Sequence, residues 1–341
     1  MWQVTGQDRI LALLGNSLKQ DNTAHAYLLV GPPHTGKKTL AINLAQALNC
    51  DDPEPPCGQC HHCRRIAAGK HADVSYTAPG LNLSTKTEIG IDDIKELQRM
   101  ANLPPYEGKC KVFIIDEAEY LSSEAANRLL KILEEPPPKI VWILLTAEES
   151  RLLPTTISRC QRLELKPVSA EQIQKLLTDS HSVDSAKAKL LAHLCHGCPG
   201  WAISALVDDN LLQQHSQNTE RLSSLLDAGL EQRFAYAQEL ATLFSKDRRS
   251  AREIMDTWLT WWHDLMLIKG GYGEGTTNVD YEATLNKQAM ELTLNQIKGF
   301  IVSLCQTAKV ISQNVNARLA LESLMLNLPA KSKISASALK R

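Results

Sequence analysis

The sequence predicts an α/β domain on a parallel sheet, followed by a second half that is helical throughout. Three observations carry this: strand and helix signals alternate as far as residue 165, a glycine-rich loop joins a strand to a helix, and strand signals stop after Pro167. Ala26–Val30 is a short apolar run ending at Gly31, and residues 39–48 then show helical periodicity. Residues 73–76 give a weak strand signal. Asp92 is suited to cap a helix carrying Ile94, Leu97 and Met100 on one face. Residues 112–115 are wholly apolar and β-branched or aromatic, with acids directly after them. Ser122 or Ser123 can cap a helix burying Ala126, Leu129, Leu130 and Leu133, which Pro136-Pro137-Pro138 ends. Ile140–Thr146 is another apolar strand, and residues 162–165 alternate as an edge strand does. Strands separated by helices at this spacing imply a parallel sheet covered on both faces.

Beyond Pro167, short helices over 170–178 and 184–196 are broken by Gly197-Cys198-Pro199-Gly200, and another starts at Trp201. Longer amphipathic helices run from about Asn218 to Leu328, with an interruption at residues 270–275. Trp258, Trp261 and Trp262 stand at helical spacing there, as core or as interface. The last residues, 331–341, hold four basic side chains, no acid and little apolar content, which reads as a solvated tail.

Composition narrows the function. The 341 residues have a net charge of -1, which gives no footprint for nucleic acid, and aromatics are scarce at 5%. A zinc-dependent nucleic-acid binder would therefore rest on its cysteines alone. No apolar run has the ~20 residues of a membrane span and the N-terminus has no secretory pattern, so the expected location is the cytoplasm.

Gly31-Pro32-Pro33-His34-Thr35-Gly36-Lys37 follows a strand and opens a helix, the context of a phosphate-binding loop. Its glycines let backbone N–H groups turn toward phosphates, and Lys37 can reach the terminal ones. The full pattern places a Mg²⁺-binding Ser or Thr next; this chain has Lys38. Thr39 is a poor substitute, because one helical step turns the side chain by roughly 100°. Val112-Phe113-Ile114-Ile115-Asp116-Glu117 has the Walker B form, in which Asp116 would hold the metal through water and Glu117 would orient an attacking water.

Cys50, Cys57, Cys60 and Cys63 offer four thiolates within fourteen residues, a set suited to tetrahedral Zn²⁺ with no position left for substrate. The expected zinc is structural, stapling an insertion (50–63) after the helix of residues 39–48. His61 and His62 are expected to face solvent, Cys195 to be core, Cys198 to be a turn residue, and Cys110, Cys160 and Cys305 to be buried thiols.

The order of these pieces resembles a known family. His25-Ala26-Tyr27-Leu28-Leu29, the phosphate loop, the four cysteines, residues 112–117, the stretch from Ala125 to Pro136, Ser158-Arg159-Cys160, and residues 316–322 are similar to motifs of bacterial DNA polymerase III clamp-loader subunits, a branch of the AAA+ proteins. The resemblance implies a RecA-like AAA+ core with a zinc-binding insertion (1–166), a small helical lid (167–212), an all-α collar for oligomerisation (213–329) and a flexible tail (330–341). It carries nucleotide-binding positions onto Gly31, Gly36, Lys37, Lys38, Thr39, Asp116, Glu117 and Thr146, as a degenerate set that can still hold ATP or ADP. It implies a hetero-pentamer with delta and the tau or gamma motor subunits, acting on a sliding clamp at primed DNA, with no membrane involved. Within the family, Lys38 in place of the hydroxyl and Gly200 in place of the motor subunits' lid arginine point to the delta-prime type. There Arg159 would act as an arginine finger on a neighbour's ATP. The alternative is a tau- or gamma-type motor that hydrolyses ATP itself, favoured by Gly36-Lys37 and Asp116-Glu117.

Overall fold

The computed structural model describes residues 2–81, 88–312 and 316–329. The expected tail at 330–341 lies outside the described residues. The chain divides into two compact units, Met1–Ala202 and Ile203–Arg341.

In chain order, the first unit contains α1 (Asp8–Lys19), β1 (Ala26–Val30), α2 (Lys37–Asn49), α3 (His61–Ala67), β2 (Val74–Thr77), α4 (Ile91–Ala101) and β3 (Lys111–Ile115). It continues with α5 (Ser123–Glu134), β4 (Ile140–Thr146), α6 (Pro154–Ile157), β5 (Gln161–Glu164), α7 (Ala170–His181), α8 (Ser185–Leu194) and the start of α9 (Pro199–Val207). The five strands form one sheet in the order β2-β3-β4-β1-β5, all parallel. Alternate residues of each inner strand feed opposite layers. Leu28, Phe113, Trp142 and Leu144 pack with α4 and α5, while Tyr27, Leu29, Ile114 and Ile143 pack with α1, α2 and α3. Burial on both faces explains why these strands read as continuous apolar runs. As expected, β5 is an edge strand.

Local corrections have physical causes. Helix α4 begins one residue before Asp92: Gly90 is its N-cap, and the Asp93 carboxylate accepts the Gly90 N–H at 2.9 Å. A third-position acid reaching back replaces the cap expected of Asp92. Ser122 does cap α5, but the buried face is Ala125, Leu129, Ile132 and Leu133, with Ala126 and Leu130 half-buried. Cys305 is exposed, and Cys110 and Cys160 are half-buried rather than buried.

The second unit takes in most of α9 and all of α10 (Asp209–Leu225), α11 (Leu230–Lys246), α12 (Arg248–Lys269), α13 (Glu282–Glu291), α14 (Leu294–Ser312) and α15 (Ala317–Leu326). Trp258, Trp261 and Trp262 are buried in its core, where Trp258 and Trp262 contact Phe300 at ring separations of 5.9 and 4.3 Å. Arg233 is also buried, and its guanidinium donates to Leu225 O, Leu226 O and Leu328 O at 3.1, 3.2 and 3.0 Å. These carbonyls lie at or just past the ends of α10 and α15, where helical partners run out. Asp264, fully buried, accepts N–H bonds from Thr277 and Asn278 and so anchors the loop interrupting the helices.

Candidate nucleotide site and metal centre

The carboxyl ends of β1, β3 and β4 lie side by side, and the segments leaving them carry the predicted nucleotide residues. In open parallel sheets this edge is where ligands bind. After β1, Gly31 N–H donates to Thr146 O at 3.2 Å, joining the loop to the end of β4. Gly36 caps α2 at φ +95°, a left-handed conformation that costs a side-chain-bearing residue but not glycine. Thr35 is buried and closes the loop by donating to Pro32 O at 2.8 Å.

Lys37 does not point outward toward a ligand. Its ammonium donates to Gly31 O at 2.5 Å and to Pro32 O at 2.8 Å, within its own loop. Burial pushes its pKa below the ordinary value, against the opposing pull of the Glu119 and Asp116 carboxylates. Lys38 is exposed, with its ammonium 4.1 Å from the Tyr76 ring centroid; Thr39 is half-buried one residue further along α2. Asp116 accepts the Tyr76 hydroxyl at Oδ2, 2.5 Å, and the Glu117 N–H at Oδ1, 2.9 Å. Glu117 is in a left-handed conformation at φ +52°. Thr146 is buried, with its hydroxyl accepting Glu148 N–H at 3.0 Å.

The start of α9 closes on this loop. Gly200 N–H donates to His34 O at 2.9 Å, and a Cβ added at Gly200 would lie 2.8 Å from that oxygen. A contact that short with backbone means that any side chain here, arginine included, would force the loop or the start of α9 to shift. Cys195 is buried and Cys198 half-buried at the turn, as expected.

The four cysteines converge. Their sulfurs all lie within 4.8 Å of one another, with Cys50–Cys60 at 3.9 Å and Cys57–Cys63 at 4.0 Å. A tetrahedron with Zn–S bonds of ~2.3 Å has edges of about 3.8 Å, so the donor set fits zinc. Backbone N–H groups support the thiolates: Cys57 N to Cys50, Gln59 N and Cys60 N to Cys57, Cys63 N to Cys60. The bonds from Gln59 and Cys60 push the Cys57 thiol down to about 6. Burial pushes Cys50 and Cys63 up, so a cation is needed for all four to ionise together. Bound there, zinc would tie the end of α2 to the start of α3 and supply no reaction chemistry.

His62 differs from expectation. It is half-buried, and its Nδ1 meets Nε2 of the buried His71 at 2.9 Å. His71 Nδ1 accepts Asp73 N–H at 3.1 Å, which places the His71 proton on Nε2, donated to His62. His61 is exposed as expected. The Asp73 carboxylate in turn accepts the N–H groups of Tyr106, Glu107 and Gly108, and Arg65 pairs with Glu107 at 2.7 Å. The cysteine module is therefore fastened to the segment leading into β3.

Arg159 follows α6 and is partly exposed. Its guanidinium donates to Thr155 O at 2.9 Å and to Glu134 at 2.8 Å. Its partners are thus at the ends of α5 and α6, and the structure does not bring it onto the chain's own phosphate loop.

Residues 6–169 match the family model described as DNA polymerase III, delta subunit. Over 94% of this chain and 96% of the other, the sequence is 29% identical to DNA polymerase III subunit delta' of Bacillus subtilis. The chain is thus similar to DNA polymerase III clamp-loader subunits over most of its length. It is also 33% identical to subunit tau of Escherichia coli, over 65% of this chain but only 35% of tau. Among solved structures it is similar to a gamma-subunit-related protein of Thermotoga maritima, 19% identical over 93% of this chain and 98% of the other, at a TM-score of 0.46. It is similar also to the clamp loader delta protein of Bacillus subtilis, 15% identical over 93% and 99%, at 0.36. The described residues have the α/β architecture expected, a parallel sheet covered by helices on both faces, followed by a helical C-terminal region. Sequence spacing did not reveal Tyr76, which lies 40 residues from Asp116. Nor did it reveal His71 or Glu119, whose carboxylate is buried and accepts Ala147 N–H at 3.1 Å.

Proposed function

We propose that this chain is the delta-prime-type subunit of its loader, a non-hydrolysing member that presents Arg159 to a neighbour's ATP. The observation that carries this reading is the seating of Gly200 on His34 O, which disfavours a lid arginine. Lys37, folded onto its own loop carbonyls, supports it further. Arg159 suits the proposed role: a planar, always-charged fork able to hold phosphate oxygens in pairs. Its restraint by Glu134 is a partly exposed ion pair, and such pairs contribute about 0–1 kcal/mol, so little opposes its transfer to a neighbouring phosphate.

In this reading the chain has three domains, at 1–166, 167–212 and 213–329, with a structural zinc at Cys50, Cys57, Cys60 and Cys63. Its partners are delta and the tau or gamma motors in a hetero-pentamer, acting on a sliding clamp, with primed DNA met through the assembly. It works in the cytoplasm; among the described residues no helix is long and apolar enough to cross a membrane. The second reading, a motor subunit, is favoured by the retained Lys37 and Asp116-Glu117 and by the likeness to tau.

Two substitutions in the reconstituted loader separate the readings. Lys37→Ala should leave its DNA-stimulated ATPase rate nearly unchanged. Arg159→Ala should lower that rate by about 10³ or more, the scale of a lost arginine finger, with assembly intact. An inactive Lys37→Ala loader beside an active Arg159→Ala one would make the chain a motor.

A further inference from the structure

A phosphate loop of this ancestry implies a divalent cation, held by a hydroxyl at the position of Lys38 and through water by Asp116. The donor set here does not fit one. Magnesium takes oxygen ligands in a tight octahedron at ~2.0–2.1 Å. In place of the hydroxyl this chain has an ammonium, which has no lone pair and carries a repelling charge. Asp116 has both oxygens engaged, Oδ2 by the Tyr76 hydroxyl at 2.5 Å and Oδ1 by the Glu117 N–H at 2.9 Å. The Tyr76 hydroxyl uses its proton on Asp116, and the ring of the same residue carries the Lys38 ammonium at 4.1 Å. One residue of β2 therefore joins the two halves of the would-be metal site: its polar end satisfies the acid and its aromatic face satisfies the cation.

We propose that Lys38 and Tyr76 fill the divalent-cation position of the loop from within the chain, so that any nucleotide the loop takes is bound without metal. The ligand class is a metal-free nucleoside di- or triphosphate. The Lys38 ammonium at the head of α2, together with the helix N-terminus, supplies the positive charge that a cation otherwise brings. Magnesium then works against binding, because it draws the free nucleotide into a complex whose cation meets Lys38. This inference rests on the reading of the loop as a degenerate nucleotide site. It is independent of the role of Arg159.

The test is equilibrium titration of the full chain with a fluorescent ADP analogue, in excess Mg²⁺ and in EDTA. For the unaltered chain, affinity in Mg²⁺ should be equal to or weaker than in EDTA. The double variant Lys38→Thr, Tyr76→Phe restores an oxygen ligand and frees Oδ2 of Asp116. It should bind about tenfold or more tightly in Mg²⁺ than in EDTA. An unaltered chain that binds about tenfold more tightly in Mg²⁺ overturns the proposal, and does so even if the double variant fails to fold. A folded double variant with no gain from Mg²⁺, including one that binds no nucleotide at all, overturns it as well. Neither result touches the delta-prime reading, which stands or falls on the loader ATPase of Lys37→Ala and Arg159→Ala.

Discussion

Alanine at Gly200 sets two effects of opposite sign against each other. Gly200 is in α9, and glycine within a helix is less stable than alanine by roughly 0.5–1 kcal/mol. Propensity alone would make Gly200→Ala stabilising. The added Cβ, however, meets His34 O at 2.8 Å, His34 Cα at 3.3 Å and His34 C at 3.4 Å. All three are backbone atoms of a residue held at φ +61° in the phosphate loop, so no flexible side chain can yield. Overpacking of this kind costs about 1–3 kcal/mol, and the Gly200 N–H bond to His34 O is stretched with it. The clash outweighs propensity, for a net loss of about 1–2 kcal/mol. In a unit of this size that lowers Tm by roughly 2–8 °C. Gly15→Ala is the matched control: Gly15 is in α1 with nothing within 4 Å of an added Cβ, and should raise Tm by about 1–4 °C. Calorimetry of the full chain reads both. If the two substitutions raise Tm alike, the close seating of α9 on the loop is wrong, and with it the argument that disfavours an arginine at this position.

Two further outcomes are expected. Metal analysis of the chain purified under reducing, chelator-free conditions should find one zinc per molecule, lost when Cys57 and Cys60 become Ser; a zinc-free, folded preparation would defeat the assignment. Arg233→Met removes a guanidinium whose pKa burial already pushes down, and strands three buried carbonyls. It should destabilise the second unit by about 3–5 kcal/mol. With a urea slope of about 1–3 kcal/mol/M, the unfolding midpoint followed by tryptophan fluorescence should fall by roughly 1–5 M. Arg318→Met, which removes a mostly exposed i,i+4 partner of Glu322, should shift it hardly at all.

The strands of the core were legible because burial on both faces writes itself as unbroken apolar runs, as in Ile140–Thr146. The cysteine module was legible because its ligands fall within fourteen residues and need no tertiary contact to be recognised. Helix α1 was not assigned from sequence, although its face toward the core is carried by Ile10 and Leu14. With no side-chain hydrogen bond at its N-cap, Gln7, it lacks the start signal that a serine or aspartate provides. Lys38 could be read as a loss. Its partner could not, since Tyr76 reaches Asp116 and Lys38 only once β2 pairs with β3. His62 was misplaced for a similar reason: the residue that draws it inward, His71, belongs to the next element.

The strand order also sets a timetable for synthesis. β1 is among the first elements to be made, yet both its neighbours come much later: Ala26 lies opposite Trp142, and Tyr27 opposite Gln161. At ~5–20 residues per second on the ribosome, β4 follows β1 by roughly 6–23 s. Through that interval the phosphate loop has no edge to rest against, because Gly31 N–H finds its acceptor only in Thr146. The cysteine knot has no such wait, since its ligands are complete by residue 63. A nascent chain can therefore have the four cysteines assembled while the strand before them is still unpaired. The part of the sheet around β1 is the last to form, and a chain stalled before residue 140 would expose Tyr27, Leu28 and Leu29 to any passing strand.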